Sequence, residues 1–134
     1  MEPNKKLKRA ANKYIKRLLK EERREKIEKI KRFRIITLCG STKFKEHFIE
    51  QQKKLTLEGN IVISVGLFGH SGDDEVWTEG TKEMLDDMHK AKIDLADEIF
   101  VINVDGYIGE STENEIQYAI LNDKKVSYLT PINI

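Results

Sequence analysis

The sequence predicts a small α/β domain, a three-layer flavodoxin- or Rossmann-like parallel sheet of about four to five strands, with an extra basic helix at its N-terminus. Two observations predict this. Beyond the first thirty or so residues, short β-branched apolar runs alternate with longer helix-forming stretches, the pattern of successive βαβ units. Those runs are also apolar almost throughout, as strands covered on both faces must be.

The elements follow in order. Lys5 to Lys31 holds helix formers without Gly or Pro, and Leu7, Ala10, Ala11, Tyr14, Ile15, Leu18 and Leu19 recur at helical spacing. The stripe lapses from Lys20 to Lys26 and resumes at Ile27, Ile30 and Phe33. Phe33–Leu38 reads as the first strand, and Thr42–Glu58 as a helix stopped by Gly59-Asn60. Ile61–Val65 is a second strand and Gly66–Glu75 a loop. Trp77–Ala96 reads as a helix and Glu98–Val104 as a strand, followed by the Gly-bearing loop Asp105–Glu110. A helix over Ser111–Asn122 and a strand over Val126–Leu129 complete the series. The expected division is a basic helical arm, residues 1–32, and an α/β domain, residues 33–134.

Charge follows the same division. Fifteen Lys/Arg oppose five Asp/Glu from Met1 to Arg34, and nine oppose eighteen in the remainder, so a net charge of +1 conceals a basic arm on an acidic body. The single cysteine, Cys39, excludes an intrachain disulfide. No apolar run reaches the roughly 18–20 residues that span a bilayer, and the basic N-terminus lacks the apolar core of a secretory signal. The expectation is a cytoplasmic protein without a membrane partner.

Parallel sheets bind ligands outside the carboxyl ends of their strands, which here means the loops Gly40–Lys43, Gly66–Asp74 and Asp105–Glu115. Gly40-Ser41-Thr42-Lys43 offers backbone N–H groups and one ammonium to an anion, or is a plain turn capped by Ser41 or Thr42. It has neither Walker nor GxGxxG spacing, which disfavours a P-loop nucleotidase or an ordinary dinucleotide fold, and no cofactor is expected. In the next loop Phe68, His70, Asp73, Asp74 and Trp77 either form a lid that stacks on a base or sit in a solvated loop with the rings tucked into the core. His70, Asp73 and Asp74 alone are a poor metal set, and no metal is expected. Cys39 reads as a small buried apolar residue. Glu115 stands out in the third loop. With Thr112 as N-cap, Glu115 falls at the third helical position, where it is either an ionised nucleophile or half of a capping box.

Leu38-Cys39-Gly40-Ser41, then Ala96-Asp97-Glu98-Ile99-Phe100-Val101, then a Gly-bearing loop and Glu115-Ile116-Gln117-Tyr118-Ala119 resemble the nucleoside 2-deoxyribosyltransferase family and its nucleotide N-hydrolase relatives. The resemblance runs from about Ile35 to Leu129 and omits the arm. It implies that Glu115 attacks C1′ of a deoxyribose to give a glycosyl-enzyme, which water or a second base resolves. It also implies that Gly40, Ser41 and Lys43 hold the sugar's 5′ end or a 5′-phosphate, with Gly109 and Ser111 facing them. The family's additional Asp is not matched: counting back from Asp97 lands at or near His89, with Asp86 and Asp87 one turn earlier and Asp94 one turn later. Asp87 or Asp86 is the expected substitute, while Asp94 and Asp97 are expected at the helix–strand junction.

The leading expectation is therefore an N-glycosidic-bond enzyme, transferase or hydrolase, acting on a small-molecule nucleoside or nucleoside 5′-monophosphate. The rival is a nucleotide-binding or sensor module without turnover, in which Glu115 only caps. The arm's apolar stripe points to a homo-oligomer more than to a nucleic-acid contact.

Overall fold

The computed structural model describes residues 4–133. The chain divides into two compact units between Phe33 and Arg34. The first is one helix, α1 (Lys5–Lys31), started by Asn4, whose side chain accepts from the Lys6 N–H at 3.0 Å. None of its residues is buried, and Leu7, Tyr14, Ile15, Leu18, Leu19, Ile27 and Ile30 all stand exposed. Lys29 and Lys31 in the last turn suit the negative end of the helix dipole.

Among the described residues the second unit holds four strands and three α-helices: β1 (Ile35–Gly40), α2 (Lys45–Leu57), β2 (Ile61–Ile63), α3 (Thr81–Leu95), β3 (Glu98–Ile102), α4 (Glu110–Leu121) and β4 (Lys125–Tyr128). The strands form one sheet in the order β2-β1-β3-β4, and all three pairings are parallel. Ile36, Leu38 and Ile102 pack on Phe48 and Leu55 of α2. Cys39, Ile99 and Val101 pack on Ile93 of α3 and on Ile116 and Ala119 of α4. Alternate residues of β1 thus enter opposite cores, the pleat producing the three-layer, Rossmann-like sandwich that the sequence predicts. Among the described residues, no helix is long and apolar enough to cross a membrane.

Several boundaries are corrected. Thr42–Phe44 is a separate 3₁₀ turn before α2, and Ser41 is its N-cap, accepting from the Lys43 N–H at 3.4 Å. The expected helix from Trp77 is two elements, a 3₁₀ turn over Asp74–Trp77 and α3, broken by Gly80 at φ 82°. β2 ends at Ile63, and β3 gives way at Asn103 to a 3₁₀ turn over Val104–Gly106. Buried Asn103 then clamps the C-terminal segment, donating to Thr130 O and accepting from Thr130 N, both at 2.8 Å. At the opposite sheet end Asp97 accepts from the Ile35 N–H at 2.8 Å and Asp94 from the Tyr118 O–H at 2.6 Å, the junction roles expected of both.

Gly40 ends β1 at φ 148°, and a Cβ there would lie 2.8 Å from Ile102 O on the neighbouring strand. Only glycine lets β1 and β3 close at this point. Gly40→Ala is expected to cost on the order of 2–4 kcal/mol, strain and overpacking together, read as a lowered urea midpoint.

Candidate functional site

The chain leaves β1 toward β2 and leaves β3 toward β4, so the loops after β1 and β3 diverge on opposite sides of one crevice. Over that crevice lies a cavity of about 280 Å³, just below the roughly 300–1,000 Å³ typical of small-molecule sites. Its wall is drawn from the three expected loops and from α3 and α4. Gly40, Ser41 and Thr42 come from the first loop, and Val65, Gly66, Leu67, Gly69 and His70 from the second. Lys82, Leu85, Asp86, His89 and Lys92 come from α3, and Tyr107, Gly109, Glu110, Ser111, Thr112 and Glu115 from the third loop and α4. Val76 and Trp77 complete it.

The first two loops are stitched together. The His70 N–H donates to Thr42 Oγ1 at 3.1 Å, and that hydroxyl lies 2.8 Å from His70 Nδ1. Ser71 Oγ donates to Thr42 O at 2.7 Å, and the Trp77 indole N–H donates to Gly69 O at 3.2 Å. The His70 and Trp77 rings meet edge to face at 5.1 Å.

At the cavity floor three elements converge. Cys39, fully buried at the end of β1, places Sγ 3.3 Å from His89 Nε2 on α3. His89 Nε2 lies 3.5 Å from Glu115 Oε2 on α4. Glu115 belongs to the inward stripe of α4 with buried Thr112, Ile116 and Ala119, a helical spacing that turns its carboxylate toward β1. Its Oε2 is buried without a hydrogen-bond partner. Burial pushes Glu115 up to about 7, and Asp86 adds to the rise, while the Cys39 thiol and Lys82 oppose it. Burial, with Lys92 adding to it, pulls His89 down to about 4, so its imidazole is neutral at pH 7. Burial, and then Glu115, push the Cys39 thiol well above its ordinary value.

This corrects two expectations for Glu115. Gly109, not Thr112, is the N-cap, so α4 begins at Glu110 and Glu115 lies in its second turn, beyond capping reach. The dipole fades within one turn, so burial governs this carboxyl instead of the helix end.

Of the other residues singled out from the sequence, the fold brings Gly40, Ser41, His70, Asp86, Gly109 and Ser111 to the cavity wall. Asp86 is held there by Lys82 at 2.9 Å. Asp87 is exposed on α3 and does not line the cavity. Phe68 turns into the α2 side of the core, edge to face with Phe48 at 5.5 Å, so it forms no lid. Asp73 accepts from the Phe68 N–H at 2.6 Å, a bond internal to the loop. Lys43 leaves the wall, its Nζ 3.4 Å from the centre of the Tyr107 ring. The juxtaposition of His89 with Cys39 and Glu115 was not expected, and the count back from Asp97 was its one sequence signal.

No family model, curated protein or solved structure matches this chain.

Proposed function

We propose that this chain is an N-glycosidic-bond enzyme that transfers or hydrolyses the deoxyribosyl group of a nucleoside or nucleoside 5′-monophosphate. The observation that carries the reading is Glu115 Oε2, buried and unpartnered at the floor of a small-molecule cavity. An unsatisfied buried acceptor costs about 1–3 kcal/mol, more when charged, and such groups persist where function needs them. In the proposed reaction the ionised carboxylate attacks C1′, and the C1′–N bond breaks with its electron pair passing to the base, which takes up a proton. Water or a second base then attacks C1′ and releases the carboxylate. Asp86 supplies the second carboxylate of the site, and the Trp77 and Tyr107 rings give the base and sugar aromatic walls. Chromatography of deoxynucleosides and their 5′-monophosphates, with and without a free acceptor base, tests the reading by the appearance of free or exchanged base. Saturable binding with no base released would instead identify a binding or sensor module.

Lys43→Ala asks whether phosphate is read by that residue. An exposed ammonium over Tyr107 is worth about 0.5–1 kcal/mol, so its loss is expected to change kcat/KM roughly two- to fivefold, equally for nucleoside and monophosphate. A larger loss confined to the monophosphate would place the amine on phosphate.

The proposal extends to a homo-oligomer joined through α1, supported by the exposure of its whole apolar stripe. A charged helix of this kind gains little from persisting in water with that stripe uncovered. Removing residues 1–30 is expected to lower the mass seen by light scattering, and nucleic-acid binding by the full chain is expected to collapse as salt rises. An unchanged mass, with tight nucleic-acid binding at physiological salt, would make the arm a nucleic-acid element instead.

A further inference from the structure

The proposed reaction uses the carboxylate of Glu115 and leaves the two groups beside it idle. Cys39 Sγ, His89 Nε2 and a Glu115 oxygen lie within 4.8 Å of one another. They come from β1, α3 and α4, so the packing of the sheet against two helices fixes their spacing, and no loop is involved. We infer that Cys39, His89 and Glu115 form a site for a thiophilic divalent cation of the zinc class, with its fourth position open to the cavity.

The donor chemistry fits, and two of the three spacings are close to those of a bound zinc. A thiolate, an imidazole and a carboxylate are the donors that zinc accepts, and three protein ligands with one open position are common for it. With bonds of about 2.3 Å to sulfur and 2.0–2.1 Å to nitrogen and oxygen, a tetrahedral zinc holds sulfur and nitrogen about 3.5–3.6 Å apart and nitrogen and oxygen about 3.3–3.4 Å apart. Sγ to Nε2 is 3.3 Å and Nε2 to Oε2 is 3.5 Å, each within about 0.2 Å of those spacings. Sγ and the Glu115 oxygen lie within 4.8 Å, so the carboxylate turns toward the thiol when the cation binds. A magnesium or calcium site would need an all-oxygen cage, which a thiol and an imidazole do not supply. Binding also answers the unpartnered Glu115 Oε2, giving a buried lone pair the acceptor contact it lacks. The thiol proton of Cys39 leaves to solvent as the metal–sulfur bond forms, so each cation bound releases at least one proton. Where Glu115 is the nucleophile, a metal-held carboxylate cannot attack C1′, and the site doubles as an inhibitory one. That consequence alone rests on the function proposed above.

The full chain, reduced with a phosphine and stripped with a chelator, is titrated with Co²⁺ and followed by absorption. A thiolate-to-cobalt charge-transfer band and tetrahedral visible bands are expected, saturating at one equivalent and bleached by Zn²⁺. Cys39 is the chain's one cysteine, so a charge-transfer band has a single source. Cys39→Ser is expected to lose the band. His89→Gln and Glu115→Gln are each expected to weaken Co²⁺ binding by at least the roughly 10- to 100-fold typical of losing a supporting group. If Cys39→Ser does not fold by circular dichroism, those two variants decide the matter. No charge-transfer band, a band saturating at half an equivalent, or affinity unmoved by both substitutions would overturn the site. The spectrum is independent of any reaction. Zinc that binds in this way yet spares base release would leave the site standing and remove Glu115 from the chemistry.

Discussion

Glu115→Ala is expected to abolish base release, with kcat/KM lower by at least about 10³-fold, or about 4 kcal/mol of barrier. A covalent nucleophile has no substitute in this cavity: Asp86 is engaged by Lys82 at 2.9 Å, and Glu110 opens α4 with its side chain exposed. The fold should survive, because Glu115 caps nothing and its carboxyl bonds no backbone group. Glu113→Ala, on the exposed side of the same helix, is expected to leave turnover within a few fold. Kinetics and thermal melts on the two variants check this. Near-normal turnover in Glu115→Ala with a lower melting temperature would assign Glu115 a purely structural part.

The second large effect is that of pH, measured in chelator-treated buffer. Only ionised Glu115 can attack, and burial places its pKa at about 7. kcat/KM is therefore expected to rise about tenfold per pH unit from 5, to level off above 7, and to span about 100-fold in all. His89, drawn down to about 4, stays neutral through that window and adds no second limb. Stability should run the opposite way. The folded carboxyl is raised from an ordinary 4.5 to about 7, so between those values the folded state binds more protons than the unfolded chain. Its contribution is complete below about pH 4.5 and is lost as pH rises through 7. Glu115→Gln should match the parent near pH 4 and exceed it near pH 8, by at most about 3 kcal/mol. Urea melts at the two pH values read the difference. A flat rate profile from pH 5 to 8 would separate turnover from this carboxyl.

The parallel sheet was legible because strands covered on both faces leave nearly continuous apolar runs, and Ile35–Cys39, interrupted only by Thr37, and Ile99–Ile102 are such runs. Errors gathered where short 3₁₀ turns replace regular elements. Gly80 stood in plain view inside the expected helix from Trp77, and its left-handed backbone is what separates Asp74–Trp77 from α3. Phe68 resembled a lid residue because its neighbours are glycines and acids, yet an aromatic ring gains more by packing on Phe48 than by standing in water. Glu115 was legible from a Gly-bearing loop at a strand end. Its environment was not, because Gly109 starts the helix three residues before Thr112 and so moves Glu115 from the cap to a buried second turn. The meeting of Cys39 with His89, fifty residues apart, follows no local period. It is a consequence of β1 and α3 sharing one core, which only the assembled sheet displays.

A covalent bond between Glu115 and the sugar can be caught by acid-quenched mass spectrometry. The full chain is mixed with a substrate that has given free base in the chromatographic assay, quenched within the turnover time, and digested. The peptide carrying Glu115 is expected to gain the mass of one deoxyribosyl or deoxyribosyl phosphate group, and Glu115→Gln is expected to show none. Steady base release with that peptide unmodified at every quench time, or an adduct carried by another residue, would contradict it.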